Sequence, residues 1–195
     1  MHRPLKAHRR QTGFSMIEVM VSLVVLLVGL LGLVGLIVVS QRAESESYQR
    51  SQALLLLQDM VGRINANRRV AACYAITTDT LNGRPYLGNG STVTPACGFG
   101  TAQANTLATG DLTVWSNLLT GTAESQSGAN LGAMVGARGC VSFDTSAGNY
   151  LVSVAWQGIA ATVAPADRFT CGKGQYGNEA LRRVVTLTMK ISNLN

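Results

Sequence analysis

The chain has 195 residues, 47% hydrophobic and only 13% charged, with a formal net charge of +6. That length allows one modest domain beside a long helix, and the composition fits a membrane segment joined to a small, weakly charged domain. Four of the 16 basic residues fall within the first 13, leaving 12 basic against 10 acidic residues, so a strongly basic nucleic-acid footprint is absent and no nucleic-acid partner is expected.

The leader carries Arg3, Lys6, Arg9 and Arg10 and no acid. It ends in Gly13-Phe-Ser-Met-Ile-Glu18, and an apolar run from Val19 to Val39 follows, interrupted only by Ser22 among polar types. At about 1.5 Å per residue, this helix spans roughly 31 Å, about one hydrocarbon core. It has no polar face of the kind a surface helix shows. The far flank mixes Arg42 with Glu44 and Glu46, so the positive-inside rule places the leader in the cytoplasm and the rest of the chain outside. A secretory h-region is shorter, about 7–15 residues, and precedes a small-residue cut site, which is missing here.

Residues 14–69 read as one long helix, transmembrane over about 14–39. Gly29, Gly32 and Gly35 soften its apolar half, at up to ~1 kcal/mol each against Ala, and also suit close helix packing in lipid. Beyond Ser40 the helix becomes amphipathic. Leu54, Leu57, Val61 and Ile64, with Leu56 and Met60, face a domain, while Glu44, Glu46, Arg50, Asp59 and Arg63 face solvent or neighbouring subunits.

Residues 70–195 are expected to form an extracytoplasmic globular domain. Residues 70–110 read as a long, mostly irregular connection that holds a short strand, with turn signals at Asn82-Gly83, Arg84-Pro85 and Asn89-Gly90. A short helix spans 111–119, with Asp111 as its cap and Leu112, Trp115 and Leu119 on one face. Residues 120–137 are a loop. Strands follow at 140–143, at 150–156 with clear alternation, and at 183–191, where Val185, Leu187, Met189 and Ile191 line the apolar face. The turn Asp144–Gly148 joins the first two strands and a long loop precedes the last. The expected class is α+β: a long N-terminal helix packed on a small antiparallel sheet of three or four strands.

Cys73, Cys97, Cys140 and Cys171 suit disulfides in an extracytoplasmic domain of this size. Three connectivities are possible. Cys73–Cys97 with Cys140–Cys171 is favoured because it closes one loop in each half of the domain. A zinc site is the alternative, but no C-x-x-C spacing is present.

The wording Gly-Phe-Ser-Met-Ile-Glu-Val-Met-Val-Ser-Leu resembles the N-terminus of a type IV prepilin. With the Asp111-to-Leu119 element and the Tyr150-to-Trp156 strand, it is most similar to the PilV-like minor pilins, the pilus modification proteins. The resemblance implies the pilin fold and makes residues 1–13 a prepilin leader. Prepilin peptidase would cut between Gly13 and Phe14 and the new N-terminus, Phe14, would be N-methylated. Glu18 would pair with the N-terminal amine of a neighbouring subunit. A carboxylate in a spanning segment is usually functional; the alternative is that Glu18 sits at the headgroup level. Gly35 stands where pilin helices often carry proline, so the helix could unwind there.

The partners so implied are other major and minor pilins, the peptidase and N-methyltransferase, the inner membrane and the pilus assembly machinery. The implied location is the bacterial inner membrane, single-pass with the N-terminus cytoplasmic, and then the pilus at the cell surface. No enzyme activity, metal or cofactor is expected. The only histidines, His2 and His8, lie in the leader, which removes histidine-based triads from the mature chain. Asp111, Asp144 and Asp167 show no paired spacing. Gly172-Lys-Gly-Gln-Tyr-Gly177 matches a dinucleotide-binding fingerprint only in its letters, because no βαβ unit can follow it. Arg68-Arg69 and Arg182-Arg183 read as solvated charge. Three readings stay open: a minor pilin acting in assembly, adhesion or twitching motility; a minor pseudopilin of a type II secretion system; and a membrane-anchored binding protein that does not polymerise.

Overall fold

A computed structural model describes residues 13–122 and 134–191, with the backbone of two short strands between them. Residues 1–12, expected to be a leader, residues 192–195 and the residues flanking the two short strands lie outside the described residues; the strands themselves correct the reading of 120–137 as a loop. The described chain divides into two compact units, one ending at Glu44 and one starting at Ser45. Helix α1, Met16–Ala66, runs through that division.

In the first unit, Ser15 opens α1: its carbonyl accepts from the N–H groups of Glu18, at 3.0 Å, and Val19, at 3.3 Å. Every side chain from Met16 to Val39 is exposed in the single chain. The most apolar window has a mean hydropathy of 3.0 and none of it is buried. Its length and composition suffice to cross a membrane.

In the second unit, α1 buries Gln49, Ala53, Leu57, Met60 and Ile64, at intervals of three and four residues that put them on one stripe. Leu54, expected on that stripe, is 42% exposed. It lies about 100° round the helix from Ala53, and the stripe passes through the smaller residue. The chain then tightens into a 3-10 helix, Arg68–Tyr74, which buries Val70 and Tyr74.

The segment read as irregular over 70–110 holds more order than its composition indicates. Besides that 3-10 helix and the expected short strand, β1, Leu87–Gly88, it contains the start of helix α2, Ala102–Thr120. The expected cap at Asp111 is corrected. Thr101 caps α2, its side chain accepting from the Ala104 N–H, and Gly121, left-handed at φ 70°, ends it. Asp111 sits mid-helix and is buried. Thr and Gly over 102–110 hide the helical period. The hydroxyls of Thr106, Thr109 and Thr113 bond back to carbonyls four residues earlier, which lets polar residues sit inside a helix.

Strands β2, Ser125–Gln126, and β3, Ala129–Asn130, pair with each other. Strands β4, Arg138–Asp144, β5, Asn149–Gln157, and β6, Arg182–Lys190, complete a four-stranded antiparallel sheet in the order β1-β4-β5-β6. Val141 lies opposite Val152, and Val154 opposite Val185. These residues join Tyr150, Trp156 and Met189 in the core that also contains Leu57, Met60, Leu112 and Trp115. Leu187 shares that face but is 36% exposed.

The opposite face of the sheet is covered as well. Cys140, Ala155, Cys171 and Tyr176 form a second cluster, with Tyr86 and Val184 packed on it. The loop between β5 and β6 therefore folds over the rear of the sheet, and β5 is buried on both sides. Disulfides join Cys73 to Cys97 and Cys140 to Cys171, the second tying that loop to β4.

Arg182, read as solvated, is 2% exposed. Its guanidinium donates to Glu179 Oε2 at 2.6 Å and to the carbonyls of Phe169 and Cys171. The acids and bases of α1 are also more than solvated charge: Arg63 bonds Asp59 and Asp111, and Glu46 pairs with Arg183 at 3.3 Å.

Candidate functional site

The candidate site is the start of α1. Gly13 and Phe14 precede the helix, and Phe14 is 83% exposed. Glu18 lies in the first turn, one helical turn from Phe14, in a shallow depression walled by Phe14, Val19, Ser22 and Leu26. The Ser22 hydroxyl donates to the Glu18 carbonyl at 2.6 Å, so that side chain is satisfied by the backbone. The Glu18 carboxylate has no ion-pair partner among the described residues. A carboxylate on an otherwise apolar helix favours a counter-charge once water is removed, because an unpaired charge in a low-dielectric medium is expensive.

The other candidate residues are engaged in the fold. Asp111 accepts from Arg63 Nη1 at 2.8 Å and from the Tyr74 hydroxyl at 2.6 Å. Burial raises the Tyr74 hydroxyl pKa well above its ordinary value, and the bond to Asp111 adds to the rise. Hydrogen bonds to Asp59, and then to Asp111, raise that of Arg63 against its partial burial. Asp144 closes the β4–β5 turn by accepting from the Ser146 hydroxyl and from the Ser146 and Ala147 N–H groups. These bonds, the hydroxyl's first, lower its pKa. Asp167 is exposed, 3.9 Å from Lys173. In the 172–177 loop the Gly174 N–H donates to Glu179 Oε1 at 2.7 Å, so a carboxylate of the chain occupies the donor a phosphate would need.

Among the described residues, no group of three or more His, Cys, Asp or Glu is placed to hold a metal ion. Both cysteine pairs are disulfides, which leaves no thiolate for the zinc alternative. Sequence reasoning missed the Arg63–Asp111–Tyr74 cluster. One signal pointed to it: Asp111 is the only charged residue between Arg84 and Glu124, and a lone charge in a neutral amphipathic segment invites a buried partner.

Residues 8–34 match the prokaryotic N-terminal methylation motif. None of the curated proteins and none of the solved structures compared with the chain matches it. The motif, the apolar helix and the antiparallel sheet support a type IV pilin-type protein, pilin or pseudopilin, anchored in a membrane. The motif is that of a structural pilin subunit rather than an enzyme family, and it implies processing by prepilin peptidase and assembly with pilins.

Proposed function

We propose that the protein is a minor pilin of the PilV-like branch, incorporated into a type IV pilus or priming its assembly. The observation that carries this reading is Glu18, the lone acid at the head of a membrane-length apolar helix, four residues after Phe14 in a matched methylation motif. Cleavage after Gly13 and methylation of Phe14 would leave an N-terminal amine one helical turn from that acid. The amine of one subunit then pairs with Glu18 of its neighbour, and two charges that lipid tolerates poorly become tolerable together. The protein performs no chemistry in this reading. Its helix stacks among other pilin helices, and its β domain offers a surface to other minor pilins or to a target.

Unreduced mass spectrometry of native membrane and sheared surface fractions tests the reading. The expected result is a chain beginning at methylated Phe14, present in the sheared pilus fraction. An uncut chain in membranes with active prepilin peptidase would overturn it. A processed chain whose loss abolishes type II secretion and leaves pili intact would assign it to the pseudopilins instead.

A further inference from the structure

Strand β6 is an open edge of the four-stranded sheet, and it pairs with β5 in unbroken register from Arg182 to Lys190. Two bonds fix which of its backbone groups face β5. The Gln157 N–H donates to the Val135 carbonyl on the β4 side, and the Gly158 N–H donates to the Leu181 carbonyl on the β6 side. Continuing that ladder, Arg183, Val185, Leu187 and Met189 are the residues that exchange bonds with β5. The N–H and C=O groups of Arg182, Val184, Thr186, Thr188 and Lys190 therefore point away from the sheet. The Arg182 N–H is taken by the Glu179 carbonyl. From Val184 to Lys190, roughly 20 Å of strand, the outward groups have no hydrogen-bond partner among the described residues.

Sheet edges are commonly guarded by charge, proline or a bulge. Between Arg183 and Lys190, β6 has no charged residue, no proline and no bulge. Val184, Val185, Thr186 and Thr188 are β-branched and favour an extended backbone. The side chains along this edge are incompletely covered. Leu187 faces the core yet is 36% exposed, and Val185 beside it is half-buried. On the rear face Thr186 is half-buried and Thr188 exposed. Charge is also unbalanced along the strand. Arg182 and Arg183 pair with Glu179 and Glu46, whereas Lys190, exposed at the far end, has no carboxylate partner among the described residues.

We propose that the Val184–Lys190 edge docks an extended segment of a different polypeptide, which adds to the sheet as a further strand. A row of unpaired N–H and C=O groups at ladder spacing is matched by another extended backbone, and alternate side chains then supply specificity. The added strand sets apolar residues beside Val185 and Leu187, closing the core over Leu187. It sets hydroxyl residues beside Thr186 and Thr188 and an acid opposite Lys190. That acid argues against β6 of a second copy, which contains none. The edge lies apart from the start of α1 and does not depend on the pilin reading.

The probe is an end-blocked peptide, Glu-Val-Thr-Val-Thr-Val-Thr, in which antiparallel pairing sets Glu opposite Lys190 and the valines beside Met189, Leu187 and Val185. N-methylation of the valines blocks the outer edge of the peptide and so its self-association. N-methylation of the threonines as well blocks the edge that meets β6. By fluorescence anisotropy on the full mature chain in non-ionic micelles, the valine-methylated peptide should bind saturably and the doubly methylated one should not. Thr186→Pro removes an N–H that points away from β5, where an edge strand accepts proline. It should keep the fold and weaken binding by about tenfold. Lys190→Glu should reverse the preference between this peptide and its counterpart with Lys in place of Glu. Equal binding of the two methylated peptides, binding of neither, full binding by Thr186→Pro or an unchanged preference in Lys190→Glu would overturn the proposal. So would a dimer of the chain alone that Thr186→Pro abolishes, because a second copy would then hold the edge. Should Thr186→Pro not fold, the methylated peptides and Lys190→Glu decide.

Discussion

Arg63 on α1 and Asp111 on α2 meet at 2.8 Å, although 48 residues separate them. Around that bond the Tyr74 hydroxyl donates to the other Asp111 oxygen at 2.6 Å, and Asn67 donates to the Ala104 carbonyl at 2.9 Å. Trp115 Nε1 completes the line by donating to the Leu56 carbonyl, also at 2.9 Å. Reading Leu56, Arg63 and Asn67 against Trp115, Asp111 and Ala104 shows that α2 runs antiparallel to the second half of α1. The polar bonds set that register, and Leu57, Met60 and Leu112 fill the core beneath it.

Replacing Asp111 therefore strands two donors. Asp111→Ala should lower unfolding free energy by about 2 kcal/mol, less than a fully buried pair would lose, because Arg63 is 24% exposed and keeps Asp59. Tyr74→Phe should lose only about 1 kcal/mol, since it removes one hydroxyl and leaves Arg63 paired. Urea titrations of both variants check this. An Asp111→Ala value no larger than that of Tyr74→Phe would show that Arg63 does not depend on Asp111.

Gly139 on β4 has no room for a side chain. A Cβ there would lie 2.3 Å from Trp115 Cη2 and 2.6 Å from Leu119 Cδ1. Gly139→Ala should lose about 1–3 kcal/mol by overpacking and shift the Trp115 fluorescence. A variant with native stability and emission would mean that α2 can move away freely.

Acid should weaken the loop behind the sheet through Glu179. Burial alone would raise its pKa, but the Gly174 N–H and the Arg182 guanidinium outweigh burial and hold it below 4.5. The folded state thus binds this proton less readily than the unfolded chain. The stabilisation is present above the ordinary glutamate range and is lost as pH falls through the lower folded value. Glu179→Gln should melt below the native chain at pH 7, and the gap should narrow towards pH 3. A gap that stays constant across that range would remove Glu179 from the acid response.

Glu18→Gln keeps size and hydrogen bonding but removes the charge. In the pilin reading the variant should reach the membrane and be cleaved normally, while its amount in the sheared surface fraction falls several-fold. Quantitative immunoblots of the two fractions measure this, and an unchanged surface amount would show that the charge is dispensable for assembly.

Much of the architecture is legible along the chain. The apolar run from Val19 to Val39, with Ser22 its one polar residue, identifies α1 because a membrane-length helix is written in contiguous residues. The alternation from Tyr150 to Trp156 identifies β5 and its core face because a strand exposes its two sides in turn. The turn at Asp144–Gly148 then sets the β4–β5 register locally. The start of α2 was not legible, since the Thr hydroxyls there bond back to carbonyls and Gly and Ala leave no hydrophobic period.

The sequence by itself determined the long helix, the small antiparallel sheet and the methylation motif at the head of the chain, each carried by neighbouring residues. The tertiary structure alone decided that the buried stripe of α1 passes through Ala53 rather than Leu54, and what three charged residues do. Asp111 became a buried acceptor rather than a cap, Arg182 a buried donor rather than solvated charge, and Arg138 a guanidinium between two tyrosines. The reason is physical. A charge can be buried only where partners from distant segments converge, and that convergence exists only after the chain has closed its loops.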